Sequence, residues 1–357
     1  MWRLLAPVVL AVSLVLPAPT FTAEGSRNGN PLPLPRGDWV VTTPQVYMDV
    51  GITLRGNLII KRGGSLDFRG VILRMNGDFH GQRRIEIREG GELFAGVSGI
   101  SGRRTEIRRG GGSGRYAFRA ARGASVTLVG AMISDAGWDD AHPGLVIEGP
   151  GLSGESDVSI LDCDLHGNFV GLTLRGFSTA IVASRFRAND RAGLVVEDAR
   201  VKLDAVEISG QPIGLILGGS SRARLSSLLV FGNDLGLLDR ASDLDLAYSL
   251  FADNGLHLRM EGPGRAEIHD NVLTLGGGAL LAATGALPVL THNDLLRNGF
   301  GVRNDNGVSE PPISATYNFW GAAKGPSGRG GGEGDSVSDG VEFVPWCTES
   351  CTRSSGS

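Results

Sequence analysis

Cysteine, an excess of either charge and long apolar runs are all scarce in this sequence of 357 residues. Three cysteines are too few for a fold built on disulfides. The 34 lysines and arginines are balanced by 38 aspartates and glutamates, so no basic field is available for a nucleic-acid partner. After residue 23, no segment is long and apolar enough to cross a bilayer.

Glycine, in contrast, contributes 55 residues, and no window shows an uninterrupted apolar period of 3.6, which excludes helical repeats. Between Asp157 and Asn304, a glycine opens a short apolar run every 19 to 23 residues. Leu172 and Leu174, one and three places after Gly171, show the pattern of a strand with one buried face. The other glycines of the series are Gly193, Gly214, Gly236, Gly255, Gly278 and Gly301.

A second apolar series runs ahead of the glycines at steps of 21 to 23 residues: Leu165, Phe186, Ile208, Val230, Phe251, Val272 and Leu295. Two series in one period predict two strands per turn of a parallel β-helix, whose turns stack at roughly 4.8 Å and bury each other's apolar faces. The outward positions of the glycine-led strand are largely apolar, which predicts a face that is covered by a loop or a partner, or that forms an exposed patch for binding or self-association. They are Val146, Thr173, Val195, Ile216, Leu238, His257, Leu280 and Arg303.

Asparagine recurs three places after most members of the second series and tolerates the left-handed bend of a tight corner. The sequence therefore predicts a ladder of Asn168, Asn189, Asn233, Asn254 and Asn298. Two places before Leu165, Cys163 begins a series of mostly small residues and is interpreted as an inward packing residue. Its matches in later rungs are Ser184, Val206, Leu228, Ser249, Asp270 and Asn293.

Both ends of the chain carry signals that point outside the cell. Residues 1–23 have the charged start, apolar centre and small terminal residue of a secretory signal, and three prolines disfavour the alternative of a membrane anchor. Cys347 and Cys351 lie close enough to form a disulfide in an oxidising compartment. After Asn304 the repeat stops, and a cap plugged by Trp320 and Trp346 is expected to cover the open end.

The rungs at 168–174, 233–239 and 298–304 read like N-x-x-G-[ILV]-x-[ILV], and the chain closes with Asn318-Phe319-Trp320-Gly321, Gly325-Pro326 and 341–346. These motifs resemble the secreted right-handed parallel β-helix repeat proteins of the pectate-lyase-like superfamily. The resemblance covers residues 118–346 well and 38–117 more loosely. It implies an exported, all-β, right-handed parallel β-helix with a C-terminal cap. It selects no chemistry, because the superfamily includes lyases, hydrolases, epimerases and adhesins.

The organisation that follows is one elongated domain with terminal extensions. Its parts are a signal peptide (1–23), a linker (24–37), N-terminal rungs with longer loops (38–117), regular rungs (118–304), a C-terminal cap (305–346) and a tail (347–357).

The insertion between Ser134 and Pro143 is the best candidate site, because loops on a rigid solenoid are where function usually lies. Trp138 suits stacking on a sugar, and the acidic and imidazole groups suit calcium or glycoside chemistry. The catalytic candidates are Asp135, Asp139, Asp140 and His142. The alternative is a turn-forming loop around a buried tryptophan.

Asp162, Asp164 and His166 alternate along a strand and form a second candidate, for ligand binding. The same register offers a solvated ladder in which Asp164, Arg185 and Glu207 stack as alternating charges.

The sequence thus predicts an exported scaffold at the cell surface that binds a polysaccharide or a protein, with no demonstrable catalytic site. No cofactor is expected, and calcium is the only ion considered. The alternative is a polysaccharide lyase or glycoside hydrolase acting through residues 135–142. A lyase on this scaffold would need a carboxylate cluster for calcium beside an outward arginine or lysine, and no such pair is found in the sequence.

Overall fold

A computed structural model describes residues 37–149, 158–307 and 311–352. The predicted signal peptide, the linker up to residue 36 and the last five residues of the tail lie outside the described residues. The described ranges contain strands and turns but no helix, so they hold no helical segment of the length and apolarity that a membrane span needs.

The described residues form 38 short strands. In chain order these are β1 (Trp39–Val41), β2 (Pro44–Met48), β3 (Gly51–Leu54), β4 (Leu58–Ile60), β5 (Ser65–Arg69), β6 (Ile72–Met75), β7 (Arg84–Ile87), β8 (Glu92–Gly96), β9 (Glu106–Arg109), β10 (Ala117–Ala120), β11 (Ser125–Val129), β12 (Met132–Ser134), β13 (Gly144–Glu148), β14 (Val158–Leu161), β15 (Asp164–His166), β16 (Val170–Arg175), β17 (Ser178–Val182), β18 (Arg185–Arg187), β19 (Ala192–Glu197), β20 (Arg200–Asp204), β21 (Glu207–Ser209), β22 (Ile213–Gly218), β23 (Arg222–Ser226), β24 (Leu229–Phe231), β25 (Leu235–Arg240), β26 (Asp243–Ala247), β27 (Leu250–Ala252), β28 (Leu256–Glu261), β29 (Arg265–His269), β30 (Val272–Thr274), β31 (Leu280–Ala283), β32 (Val289–Thr291), β33 (Asp294–Leu296), β34 (Val302–Asn304), β35 (Ile313–Ser314), β36 (Pro326–Gly328), β37 (Gly334–Val337) and β38 (Val341–Glu342).

Apart from β36, which pairs with β37, the strands pair in parallel with those three places before and after them, and they build three long sheets. Sheet A has 14 strands and begins β1-β4-β7, sheet B has 13 and begins β2-β5-β8, and sheet C has 11 and begins β3-β6-β9. The chain is therefore a right-handed parallel β-helix, which confirms the predicted fold. The prediction of two strands per turn is wrong, since each complete turn contributes three.

The interior is filled by side chains that stack from one rung to the next. Leu172, Leu194 and Leu215 pair in register on sheet A and are at most 1% exposed. On sheet C, Phe251 pairs with Leu273, so the predicted inward position of Val272 is wrong by one residue. Since each rung covers the apolar face of the next, the core is continuous along the solenoid.

The turns from sheet B to sheet C, here called the BC corner, each contain one residue in the left-handed conformation. Asp162, Ala183 and Ala205 occupy that position in successive rungs, with φ of 52°, 51° and 53°. The next residue points inward, and Asn271 rather than the predicted Asp270 continues that series. Cys163 is 2% exposed in this series, and burial raises the pKa of its thiol to about 11, so it is a packing residue.

The turns from sheet C to sheet A, here called the CA corner, carry the asparagine ladder. The backbone N of Asn168 donates to Oδ1 of Asn189, and that of Asn233 donates to Oδ1 of Asn254. Gln211 fills the rung between Asn189 and Asn233, and its longer side chain makes the same contacts. Each member therefore supplies an acceptor that the preceding turn needs.

The ladder changes residues toward its C-terminal end. The rung after Asn254 has Gly276 at the ladder position, and the buried ring of His257 fills the space instead, 3.0 Å from Asn254 Nδ2 and 3.0 Å from Asn298 Oδ1. The Asp335 carboxylate then accepts from the backbone and side-chain nitrogens of Asn298. A carboxylate only accepts hydrogen bonds, which suits the last member of the series.

The cap extends the sheets past the last complete turn. Strands β36 and β37 continue sheet A, whereas β35 and β38 continue sheet B. Trp320 is fully buried, and Trp346 is half-buried and donates its indole N–H to the carbonyl of Ala323. Cys347 and Cys351 form a disulfide.

Candidate functional site

Three long connections stack at the CA corner near the N-terminal end. Residues 76–83, 110–116 and 135–143 link sheet C to sheet A in successive rungs, whereas three residues, 167–169, suffice in the next. We call these three connections the loop corner. Extra chain length at one edge of a rigid solenoid marks this edge as the place for a site.

Aromatic rings gather at the loop corner. The half-buried Trp138 ring stacks on the His142 ring, with centroids 4.3 Å apart and planes 18° apart. The ring of His80, from the first loop, lies nearly parallel to the indole at 6.1 Å. The His142 imidazole therefore already covers one face of the indole, so a sugar would contact the stacked rings and not an isolated indole.

His142 also contacts an acidic side chain. Its Nδ1 lies 2.9 Å from Oδ1 of Asp139, and hydrogen bonding from His142 lowers the pKa of that carboxyl. Both side chains are half exposed. This pair could accept or donate a proton at the solvent boundary.

Arginine–aspartate pairs join the loop corner to later rungs. Arg115 contacts Asp190 at 2.6 Å and Arg191 contacts Asp140 at 3.6 Å. The first pair is the better formed, because Arg115 is largely covered and also donates to the carbonyl of Gly137. Both pairs end on one turn, residues 188–191, which lies two rungs after the 135–143 loop, and they tie the 110–116 and 135–143 connections to it.

Asp135 is separate from the rest of the predicted cluster. It has φ 63° at the end of β12, accepts from the hydroxyl of Ser134 and lies 3.7 Å from Arg109. The structure thus brings together Trp138, Asp139, His142 and, through Arg191, Asp140. In the described ranges no three His, Cys, Asp or Glu side chains are arranged to hold a metal ion, so no calcium site is assigned.

The second candidate site, which consists of Asp162, Asp164 and His166, does not lie on one face of a strand. Asp162 occupies the left-handed position of the BC corner and pairs with Arg104 at 2.6 Å, so its predicted alignment with Asp164 is wrong. Asp164 is 6% exposed and contacts Arg187 at 2.6 Å and His166 at 3.2 Å. Burial raises the pKa of Asp164, but hydrogen bonds from His166 and Arg187 outweigh it and hold the pKa at about 2.

The charged ladder on sheet C is present in a modified form. Asp164, Arg185 and Glu207 pair in register, as predicted, and Arg185 approaches Glu207 to 3.5 Å. The closest partner of Asp164 is, however, Arg187, two residues along the neighbouring strand. All of its polar contacts are satisfied within the protein, which favours a structural role.

The outward stripe on sheet A is apolar over its first five rungs, apart from Thr173, and then becomes mixed. Its register runs Val146, Thr173, Val195, Ile216, Leu238, Arg259, Leu281 and Arg303. The predicted members His257 and Leu280 are wrong, since both are fully buried.

Sequence reasoning missed His80, Arg115 and Asp190 as members of the site. His80 and Arg115 approach the 135–143 loop from earlier rungs, and Asp190 joins the site through Arg115. The length of the 76–83 and 110–116 connections was the available signal, because long loops at one corner must meet.

No family model and no curated protein matches this sequence. Among solved structures, the chain is similar to the periplasmic alginate epimerase AlgG, with a TM-score of 0.49 and 12% identity over 75% of this chain and 77% of that one. It is also similar to the Dettilon tailspike protein gp208, with a TM-score of 0.42 and 14% identity over 79% of this chain. The match spans 61% of the tailspike chain.

Proposed function

We propose that the protein is an exported β-helix scaffold that binds a polysaccharide at the loop corner. The observation that carries the proposal is the ring stack of Trp138 with His142, placed beside the exposed carboxylates of Asp139 and Asp140. Sugars are commonly held by aromatic rings together with charged hydrogen-bonding groups. Export is supported by the Cys347–Cys351 disulfide, because disulfides persist in oxidising compartments.

Binding to soluble uronic and neutral polysaccharides, measured by affinity electrophoresis, tests this function. Trp138→Ala is expected to weaken binding about fivefold or more, because it removes the ring that organises the loop. Phe300→Ala is the matched control, since Phe300 is a half-buried ring in the turn before β34 at the same corner, many rungs away. Equal affinities for wild type and Trp138→Ala would reject the loop corner as the binding site.

The second candidate function is a polysaccharide lyase or glycoside hydrolase. It is favoured by the solvent-exposed Asp139–His142 pair, in which a carboxylate holds an imidazole as in many general bases. Incubation with the same polysaccharides, followed by detection of unsaturated products or new reducing ends, tests it. Turnover that disappears in Asp139→Ala would establish the enzyme, and no turnover with retained binding would leave the scaffold.

A further inference from the structure

The protein has only four tyrosines, and two of them lie on the surface at the BC corner. Tyr248 is 68% exposed and Tyr317 is 50% exposed. Between them in the rung order lie Asp270 and His292, which occupy the same position in their own turns. We call the row of Tyr248, His269, His292 and Tyr317 the ring edge.

The rings of this edge contact each other rather than the core. His292 and Tyr317 stack with centroids 5.9 Å apart and planes 16° apart. The His269 ring lies edge-on to Tyr248 at 6.0 Å. Neither tyrosine hydroxyl has a hydrogen-bond partner within the described ranges, so both remain available to a ligand.

The backbone at these positions argues against a purely structural role. Tyr248, His292 and Tyr317 have φ of 51°, 56° and 57°, a left-handed conformation that is unusual for bulky side chains. Earlier rungs place Ala183, Ala205 or Ser227 at the same corner, so a small residue is enough to make the turn. Large rings held in a disfavoured conformation and exposed to solvent point to a function.

The charge around the ring edge restricts the ligand. His269 Nδ1 lies 2.8 Å from Asp270 and its Nε2 lies 3.2 Å from Asp245. Glu267, exposed on the same strand, is paired with Arg265. Arg224 pairs in register with Asp245 and Arg265 with Asp243, so the charges on this face nearly balance and create no field for a polyanion, while the carboxylates provide acceptors for sugar hydroxyls.

We propose that the ring edge is a second glycan site, and that it takes a neutral hexose polysaccharide running along the solenoid. From the Tyr248 turn to the Tyr317 turn there are three rung steps, or about 14 Å, enough for a short stretch of sugar residues. The site goes beyond the proposed function and does not depend on it, since the BC corner is a different edge from the loop corner.

The test uses the full chain and soluble mixed-linkage β-glucan, galactomannan and dextran, with polygalacturonate as the acidic probe. Affinities are measured for wild type, Tyr248→Asn, Tyr317→Asn and the double variant, each also in a Trp138→Ala background to remove the loop-corner site. The double variant is expected to bind at least one neutral glycan about tenfold more weakly. Ala205→Asn, which makes the same kind of change at the same corner without removing a ring, is expected to bind like wild type.

Thermal unfolding separates a binding role from a structural one. Because asparagine adopts the left-handed conformation more readily than tyrosine, Tyr248→Asn is expected to unfold no earlier than wild type while it loses affinity. Three results would overturn the proposal: wild type binds no neutral glycan, the double variant binds as well as wild type, or polygalacturonate is the preferred ligand. A marked fall in Tm for both single variants would instead make the rings structural.

Discussion

His257 shows how one side chain can change place within a repeat. Leu235 pairs with Leu256 and Leu237 with Leu258, so His257 stands where the preceding rung has Gly236. Its ring enters the CA corner and fills the space that Gly276 leaves empty. The sequence reads Gly255-Leu256-His257-Leu258, which imitates the glycine-led pattern two places out of register and leads to the wrong outward assignment.

Burial lowers the pKa of His257 from 6.5 to about 4, which makes a prediction on acid stability. Above pH 6.5 the ring is neutral in both states, so it adds no pH dependence. Between pH 6.5 and 4 the unfolded chain takes up a proton that the folded protein does not, and stability falls by roughly 3 kcal/mol in total. Urea unfolding at pH 7, 5.5 and 4.5 measures this fall.

His257→Leu is expected to lose this fall in the free energy of unfolding between pH 6.5 and 4, whatever its stability at pH 7. His292→Asn is the control, since His292 is exposed, and it should keep the slope. The same pH dependence in His257→Leu and wild type would show that another group is responsible. Asp164 does not contribute to the change between pH 6.5 and 4, because its pKa of about 2 means that the stability it provides is lost only below pH 3.8.

At the scale of the element, the CA corner is held by hydrogen bonds that pass between rungs. Asn233 accepts from the backbone N of Gln211 and donates to Asn254 and to the carbonyl of Ile208. All of these groups are buried, so removing the amide leaves a donor and an acceptor without partners.

Asn233→Ala is therefore expected to lower the free energy of unfolding by about 2–4 kcal/mol. The neighbouring Asp234→Ala, on an exposed side chain, should change it by less than about 0.5 kcal/mol. Chemical denaturation of both variants at pH 7 measures the difference. If Asn233→Ala lowers the free energy of unfolding as little as the control does, water replaces the hydrogen bonds of the Asn233 side chain.

The sequence predicts two of the three sheets and the corner ladder, but it does not separate out sheet B. Strands of sheet B do alternate, as Val201 and Leu203 show, but alanine takes the inward place at Ala223 and Ala266, which weakens the apolar signal. The apolar positions that follow the glycines on sheet A, and the second apolar series on sheet C, give a stronger signal because large apolar residues fill them in nearly every rung.

The site is less predictable than the fold, because its contacts join residues far apart in the chain. His80 reaches Trp138, and Arg115 reaches Gly137 and Asp190, only because three long connections stack in space. Nothing in the local pattern of the 135–143 loop indicates which side chains from other rungs will approach it. A repeat with known period places the rungs, but it does not place the tips of their loops.

At the scale of the molecule, a solenoid is stabilised mainly by contacts between neighbouring turns, so damage should remain local. Trp320→Ala removes a fully buried ring from the cap, with an expected loss of about 3–5 kcal/mol in the terminal rungs. Hydrogen exchange should then show reduced protection in β31 to β34 and unchanged protection in β16 to β22. Val344→Ala, at a position 57% exposed, is the control. Uniform loss of protection along the chain would show a single cooperative unit instead.

The amide chain of the CA corner has a direction, since its backbone N–H groups donate to a side-chain oxygen of the following turn, except at Asn254, which Gly276 follows, and Asp335 receives the final bonds. Gene duplication of an inner unit could lengthen such a protein without disturbing either terminus, because a new asparagine gives and takes in the same sense as its neighbours. Copying the closing unit would instead set an acceptor-only carboxylate in the middle of the stack. Growth in evolution is therefore expected from within, with the two ends inherited unchanged.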